Sequence, residues 1–297
     1  MEKKNKLLLI DGSSVAFRAF FALYNQIDRF KNANGLHTNA VYGFNLMLSH
    51  LLERIQPTHV LVAFDAGKTT FRTEMYADYK GGRAKTPDEF REQFPFIREQ
   101  LDHLGIRHYE LAQYEADDII GTVSMWCEKD PEYEALIVSS DKDLLQLISD
   151  ETTVKLLKTK DYIMMDRKTF NETYGFEPIH MIDLKALMGD ASDNIPGVHG
   201  IGEKGAIKLV SEYTTIENIY ANINNIKGAT QTKLIEGEDD AYYSKDLVTI
   251  YREVPLDVSF DDLKYKNCNI EELTNIYKEL GFYSLLRKIN TSDIKKE

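Results

Sequence analysis

The sequence predicts an α/β fold: a central, mainly parallel sheet followed by an α-helical C-terminal part. Three observations carry this reading. Three short apolar runs, Leu7 to Ile10, Val60 to Phe64 and Ala135 to Val138, have the length and composition of buried strands. Helix-like stretches, Ala40 to Arg54 and Glu115 to Lys129, lie between them, and a strand, helix, strand order builds parallel sheets with right-handed crossovers. From about Pro178 the apolar spacing becomes helical.

Taken in order, the first run ends in Asp11 and the second in Asp65, while the third leads through Ser139 and Ser140 to Asp141 and Asp143. Carboxylates thus follow every predicted strand, and in parallel sheets the carboxyl ends of the strands form the ligand crevice. Thr153 to Met165 reads as two short strands around Lys160-Asp161, extending the sheet at an edge. Beyond Pro178, Met181 to Met188, Glu203 to Ser211 and Ile270 to Leu280 have helical spacing, and the polar tail Asn290 to Glu297 is expected to fray. The expected division is an α/β core over 1–177 and a helical region over 178–297.

Only four apolar residues precede Asp11, too few for a signal peptide or a membrane span. Cys127 and Cys268 form no CxxC pair, which argues against a disulfide scaffold or structural zinc and for a cytoplasmic protein. The seven histidines show no paired metal-ligand spacing.

Two acidic clusters join the strand-end aspartates. Glu115, Asp117 and Asp118 open a predicted helix, where the dipole offsets part of their repulsion. Asp190 and Asp193 repeat the i, i+3 spacing. Nine acids, Asp11, Asp65, Glu115, Asp117, Asp118, Asp141, Asp143, Asp190 and Asp193, cannot share a crevice uncompensated. Oxygen-only ligands point to Mg²⁺ or Mn²⁺ rather than Zn²⁺. The ordinary alternative for any one aspartate is a helix cap or a solvated loop charge. Net charge is −12, from 36 basic and 48 acidic residues, and such a chain should repel nucleic acid. If the nine acids hold cations, most of that charge is ligand rather than repulsive surface.

Six blocks now in view, Leu9-Ile10-Asp11-Gly12-Ser13-Ser14, Phe64-Asp65, Phe71-Arg72 with Tyr79-Lys80 and Arg83, Tyr114 to Asp118, Ser140 to Leu144, and Gly189 to Val198, resemble the 5′ nuclease (flap endonuclease) family. That family includes the 5′→3′ exonuclease domain of bacterial DNA polymerase I and stand-alone bacterial enzymes. The resemblance runs from Leu7 to about Leu286 with the blocks in family order and no family carboxylate missing. It implies a PIN-like 5′ nuclease fold with a helical arch over about 66–100 and a helix-hairpin-helix turn at about 185–211. The implied activity is metal-dependent phosphodiester hydrolysis at 5′ ends, nicks and 5′ flaps of DNA, RNA-primed ones included, as in replication and repair. By the same resemblance the nine acids surround two or more ions, Lys80 and Arg83 act at the reacting phosphate, and the protein is a monomer.

DNA contacts follow the same pattern. Ala66 to Lys85 carries five basic and two acidic residues directly after Asp65. Lys68, Arg72, Lys80 and Arg83 are expected to hold phosphate and Tyr79 to stack on a base; the bland alternative is a solvated basic loop. Arg18 aligns with a family phosphate-contacting arginine. Gly200 to Gly205 matches GxGxxG, but the required preceding strand is missing, so a dinucleotide site is rejected. Gly197, Gly200 and Gly202 with Lys204 instead resemble the helix-hairpin-helix turn, where glycines admit a duplex phosphate and the resemblance adds K⁺ on the carbonyls.

Two other classes compete with this reading. A haloacid-dehalogenase-type phosphatase needs an Asp where Ser13 stands. A non-catalytic junction binder would be favoured by a missing ligand, and none is missing. The end of the chain soon after Leu286 suggests a stand-alone nuclease without a polymerase.

Overall fold

The computed structural model describes residues 4–293 apart from 160 and 267. It divides into two compact units: the first comprises Met1–Phe64, Lys85–Glu110 and Leu256–Glu297, the second Asp65–Ala84 and Leu111–Pro255.

In the first unit, β1 (Asn5–Asp11), β2 (His59–Ala63) and β3 (Arg107–Tyr109) lie in the order β3-β2-β1, all parallel, with Leu9 opposite Leu61 and Val62 opposite His108. Leu7 to Ile10 and Val60 to Ala63 are buried on both faces, which explains their unbroken apolar runs. Asp11 ends β1 and caps the helix Gly12–Ala22, accepting from Ser14 N at 2.9 Å. Helix Asn39–Ile55 ends at Gln56, which takes the left-handed conformation. Strand β3 escaped the sequence reading because Arg107-His108-Tyr109 has neither an apolar run nor strict alternation.

The second unit holds β4 (Tyr133–Ser139), β5 (Thr152–Leu157) and β6 (Tyr162–Met165), with β4 parallel to β5 and β5 antiparallel to β6. The expected edge pair therefore forms; Lys160 of its turn lies outside the described residues. Helix Ala116–Lys129 precedes β4, and the helical part follows β6: Arg167–Tyr174, Met181–Met188, Glu203–Tyr213, Ile216–Ala221, Ala229–Glu236 and Glu238–Val248.

The stretch 66–100 is a series of short pieces, the helices Phe71–Met75, Asp88–Arg91 and Phe94–His103 joined by turns. The last helix runs from Tyr283 through Asp293, further than the expected fraying allowed; 294–297 lie outside the described residues. Among the described residues no helix is long and apolar enough to cross a membrane.

Candidate active site

Eight of the nine predicted acids belong to the second unit and Asp11 to the first. Two more strand-end acids act as caps. Asp65 Oδ1 accepts from Ala116 N, the first residue of the helix Ala116–Lys129, at 3.0 Å, and Asp141 Oδ1 accepts from Asp143 N at 2.9 Å. Like Asp11, each spends one carboxylate oxygen on a backbone amide at a helix start, Asp11 and Asp141 on one close in the chain and Asp65 on a distant one.

Glu115, buried just before the helix Ala116–Lys129, is gripped from the basic stretch. Its Oε1 accepts from Lys80 Nζ at 2.6 Å, and its Oε2 accepts from Tyr79 Oη and Arg72 Nη1 at 3.1 Å each. Lys80 has φ +57°, a left-handed backbone that costs a lysine about 1–2 kcal/mol. Its N–H donates to Asp193 O at 2.9 Å, while Asn194, also left-handed, donates from its amide to Asp78 O at 3.0 Å. These reciprocal bonds lock 78–80 to 193–194 and hold the strained turn in place. Arg83 donates to Asp193 through Nε at 3.0 Å and through Nη2.

Burial alone would lower the Lys80 pKa, but Glu115 and Asp193 outweigh it and hold the ammonium above its ordinary value. Arg83 is raised in the same way, burial being offset by Asp193 with a contribution from Asp141. Asp117 is half-buried, and its charge is one of those keeping the neighbouring Tyr79 phenol protonated, behind burial and Glu115.

Three sequence expectations need correction. Tyr79 cannot stack on a base: its ring is buried with Ile182, Ile195, Leu247 and Val248, and its hydroxyl serves Glu115. Arg72 cannot hold phosphate, because it is buried with its guanidinium spent on Asp118, Glu115 and the Leu247 and Thr249 carbonyls. Asp118 is fully buried and accepts four hydrogen bonds, two on each oxygen, from Arg72, Glu115 N and Tyr251 N. No lone pair of Asp118 points outward for a metal ion. Lys68 is exposed as expected, and Arg18 sits half-buried on the first unit's helix Gly12–Ala22.

Asp143 and Asp190 meet a residue the sequence reading missed. Lys185 Nζ lies 2.8 Å from Asp143 Oδ1 and donates to Asp190 Oδ2. Asp190 is further held by Ser192, whose N–H and hydroxyl donate to Oδ1 at 2.8 and 2.6 Å. Although burial opposes it, Lys185 and Ser192 bring the Asp190 pKa down to about 2. Burial, then the charge of Asp141, push Asp143 up to about 7 despite Lys185. Asp143 Oδ1 is buried, with the ammonium close by but no aligned hydrogen bond to any partner. The available signal was a single lysine within the otherwise apolar stretch Leu184 to Met188.

Glu115, Asp143, Asp190 and Asp193 are thus each matched by a cation of the chain itself, and among the described residues no three His, Cys, Asp or Glu converge as a ready metal cage. The donor chemistry nonetheless suits a hard divalent cation: all-oxygen ligands, and at Asp143 Oδ1 a buried acceptor not satisfied by hydrogen bonding.

The helix Met181–Met188 leads through a turn into the helix Glu203–Tyr213, so Gly200 to Gly205 follows no strand. Gly197 and Gly200 have φ of +61° and +80°; Gly202 has φ −91° and precedes the second helix with no side-chain cap. Gly200, Gly202, Lys204, Thr230 and Lys233 line an open cavity of about 410 Å³ at that helix start. Lys233 Nζ donates to Gly200 O at 2.9 Å.

Residues 6–175 match the family model for the 5′-3′ exonuclease N-terminal resolvase-like domain, and 176–271 the model for the 5′-3′ exonuclease C-terminal SAM fold. The chain belongs to the 5′-3′ exonuclease family. It is 60% identical over 302 residues to DNA polymerase I of Streptococcus pneumoniae (strain ATCC BAA-255 / R6), covering 98% of this chain and 33% of the polymerase. To DNA polymerase I of Bacillus subtilis (strain 168) it is 48% identical over 300 residues, 100% of this chain and 34% of the relative. The chain therefore spans about one third of the length of these polymerases.

Among solved structures, T5 5′-exonuclease with bound zinc shares the fold at TM-score 0.68 and 21% identity, over 93% of this chain and 100% of that one. The catalytic core of Rad2 in complex with DNA substrate does so at TM-score 0.65 and 18% identity, over 96% and 91%.

Proposed function

We propose that this exonuclease-family chain is a structure-specific 5′ nuclease that hydrolyses phosphodiester bonds at 5′ ends, nicks and 5′ flaps of DNA, RNA-primed ends included, using Mg²⁺ or Mn²⁺. The observation that carries the reading is the buried acceptor at Asp143 Oδ1, set among Asp141, Asp190 and Lys185 in a chain with the family's acids in order. Divalent ions at such carboxylates supply Lewis acidity and an activated water for in-line displacement.

Asp65, Glu115, Asp117, Asp141, Asp143, Asp190 and Asp193 are the proposed ligands in the second unit, with Asp118 transferred to a structural role. Asp11 is proposed on the family pattern alone. Lys80 and Arg83, each poised on an acid, are proposed to turn to the scissile phosphate and stabilise the charge developing on it. Neither requires a nucleophilic side chain. Arg18, Lys68, Lys204 and the glycine turn are proposed to hold duplex phosphates, the turn through close backbone approach and the unfilled amides at the start of the helix Glu203–Tyr213. K⁺ is proposed on carbonyls of that turn other than Gly200, and the working form as a cytoplasmic monomer.

End-labelled flap, nicked and single-stranded substrates, incubated with Mg²⁺, Mn²⁺ or excess chelator, test the reading. Cuts near the flap junction that vanish with chelator are expected; equal cleavage in chelator would refute it.

A further inference from the structure

Lys185 is 11% exposed and faces two carboxylates, Asp143 and Asp190, that belong to the proposed ligand set. Its two contacts differ. Toward Asp190 it makes a hydrogen bond; toward Asp143 it offers proximity without hydrogen-bond alignment. Asp190 does not depend on the lysine for its position, because Ser192 fixes the other oxygen twice and the Asp190 N–H and carbonyl pair with Ile195 at 3.0 and 2.8 Å. Asp143 is likewise placed by the turn that Asp141 caps. Both carboxylates would therefore stay where they are if the ammonium moved, and a flexible four-carbon stem lets it move without disturbing the helix Met181–Met188.

Resting on the metal-dependent reading above, we propose that Lys185 is a tethered counter-cation: it neutralises Asp143 and Asp190 in the metal-free protein and must yield them to a divalent ion, so it sets the metal affinity of these two acids. A fixed ammonium and a free divalent ion cannot both neutralise the same two oxygens at close range, so each weakens the other's hold. The arrangement spares the protein the repulsion of buried, uncompensated carboxylates before substrate and metal arrive.

Mn²⁺ titration of the full chain by calorimetry, without DNA, tests this with Lys185→Met, which keeps the length and removes the charge, and Lys185→Arg, which keeps the charge. Lys185→Met is expected to bind Mn²⁺ about tenfold more tightly than the parent, with Lys185→Arg close to the parent. Equal or weaker binding by Lys185→Met, with the parent binding normally, would overturn the counter-cation role and leave the nuclease reading standing. Absence of Mn²⁺ binding in parent and variants alike would overturn both. A second measurement needs no variant: amine acylation of the parent, read by mass spectrometry, should label Lys185 faster at saturating Mn²⁺ than in chelator. An unchanged Lys185 labelling rate would refute the displacement.

Discussion

Arg72 and Asp118 form a two-pronged buried ion pair, Nη1 to Oδ2 and Nη2 to Oδ1 at 2.8 Å each. The remaining acceptor sites of Asp118 take Glu115 N at 3.0 Å and Tyr251 N at 2.9 Å. Arg72 adds the Leu247 and Thr249 carbonyls, so the pair ties the start of one helix to the chain beyond another. Asp118→Asn should cost Arg72 its two-pronged partner, leaving Glu115 alone to balance the buried guanidinium, and destabilise the protein by about 3 kcal/mol. Chemical denaturation measures this. A variant as stable as the parent, with metal binding alone impaired, would restore Asp118 to the ligand set.

Lys80 holds Glu115 across 2.6 Å and sits on a strained turn. If it acts on charge developing at the phosphate, Lys80→Ala should slow single-turnover cleavage about 10²-fold or more while duplex affinity changes little. A parental single-turnover rate would remove Lys80 from the mechanism.

The glycines of the helix-hairpin-helix turn are not equivalent. A Cβ on Gly197 would collide with the Gly189 backbone, at a φ of +61° that L residues rarely adopt. Gly202 has an ordinary φ and open space where a Cβ would stand. Gly197→Ala should lower thermal stability and weaken salt-dependent duplex binding, whereas Gly202→Ala should preserve the fold. Melting curves with a salt series of affinities distinguish the two, and indifference at Gly197 would contradict the geometry.

His59 is buried at the start of β2, with its Nδ1 2.8 Å from Thr58 Oγ1 and its ring edge-on to Phe260. Burial, then the positive charge of Lys264, lower its pKa, against a smaller opposing effect of Asp261. The unfolded chain then binds a proton more readily than the folded one. Its stabilising share is present above the unfolded histidine value of about 6.5 and is lost as pH falls toward the lower folded value. The His59→Asn variant should show a shallower loss of stability than the parent between about pH 7 and 5, followed by denaturant midpoints. Parallel profiles would assign the acid sensitivity elsewhere.

Much of this was legible in the sequence because the signals were local. Leu7 to Ile10 and Val60 to Phe64 are unbroken apolar runs, as strands covered on both faces require. Asp11, Asp65 and Asp141 stood out as strand-end carboxylates, but the sequence offered capping and metal ligation as rivals. In the structure one oxygen of each caps, and that use does not compete with ligation by the other. What stayed hidden was pairing between residues far apart in the chain. Nothing near Arg72 or Tyr79 announces that Asp118, Leu247 and Val248 will bury them, so a basic, aromatic stretch read as a DNA surface. Lys185 was obscured because its partners emerge only when the helix and the β4 end come together.

In the proposed function, the acids of the second unit carry phosphodiester cleavage through divalent ions. Replacing Asp141 and Asp143 together by Asn removes two charges with little change of shape and spares the Arg72–Asp118 pair. Single-turnover cleavage of a 5′ flap in Mg²⁺ tests it most directly, alongside flap affinity in chelator and thermal unfolding. A folded protein is expected whose cleavage collapses while metal-free affinity is equal or tighter, since two charges that repel phosphate are gone. A folded double variant that cuts at the parental rate would contradict it.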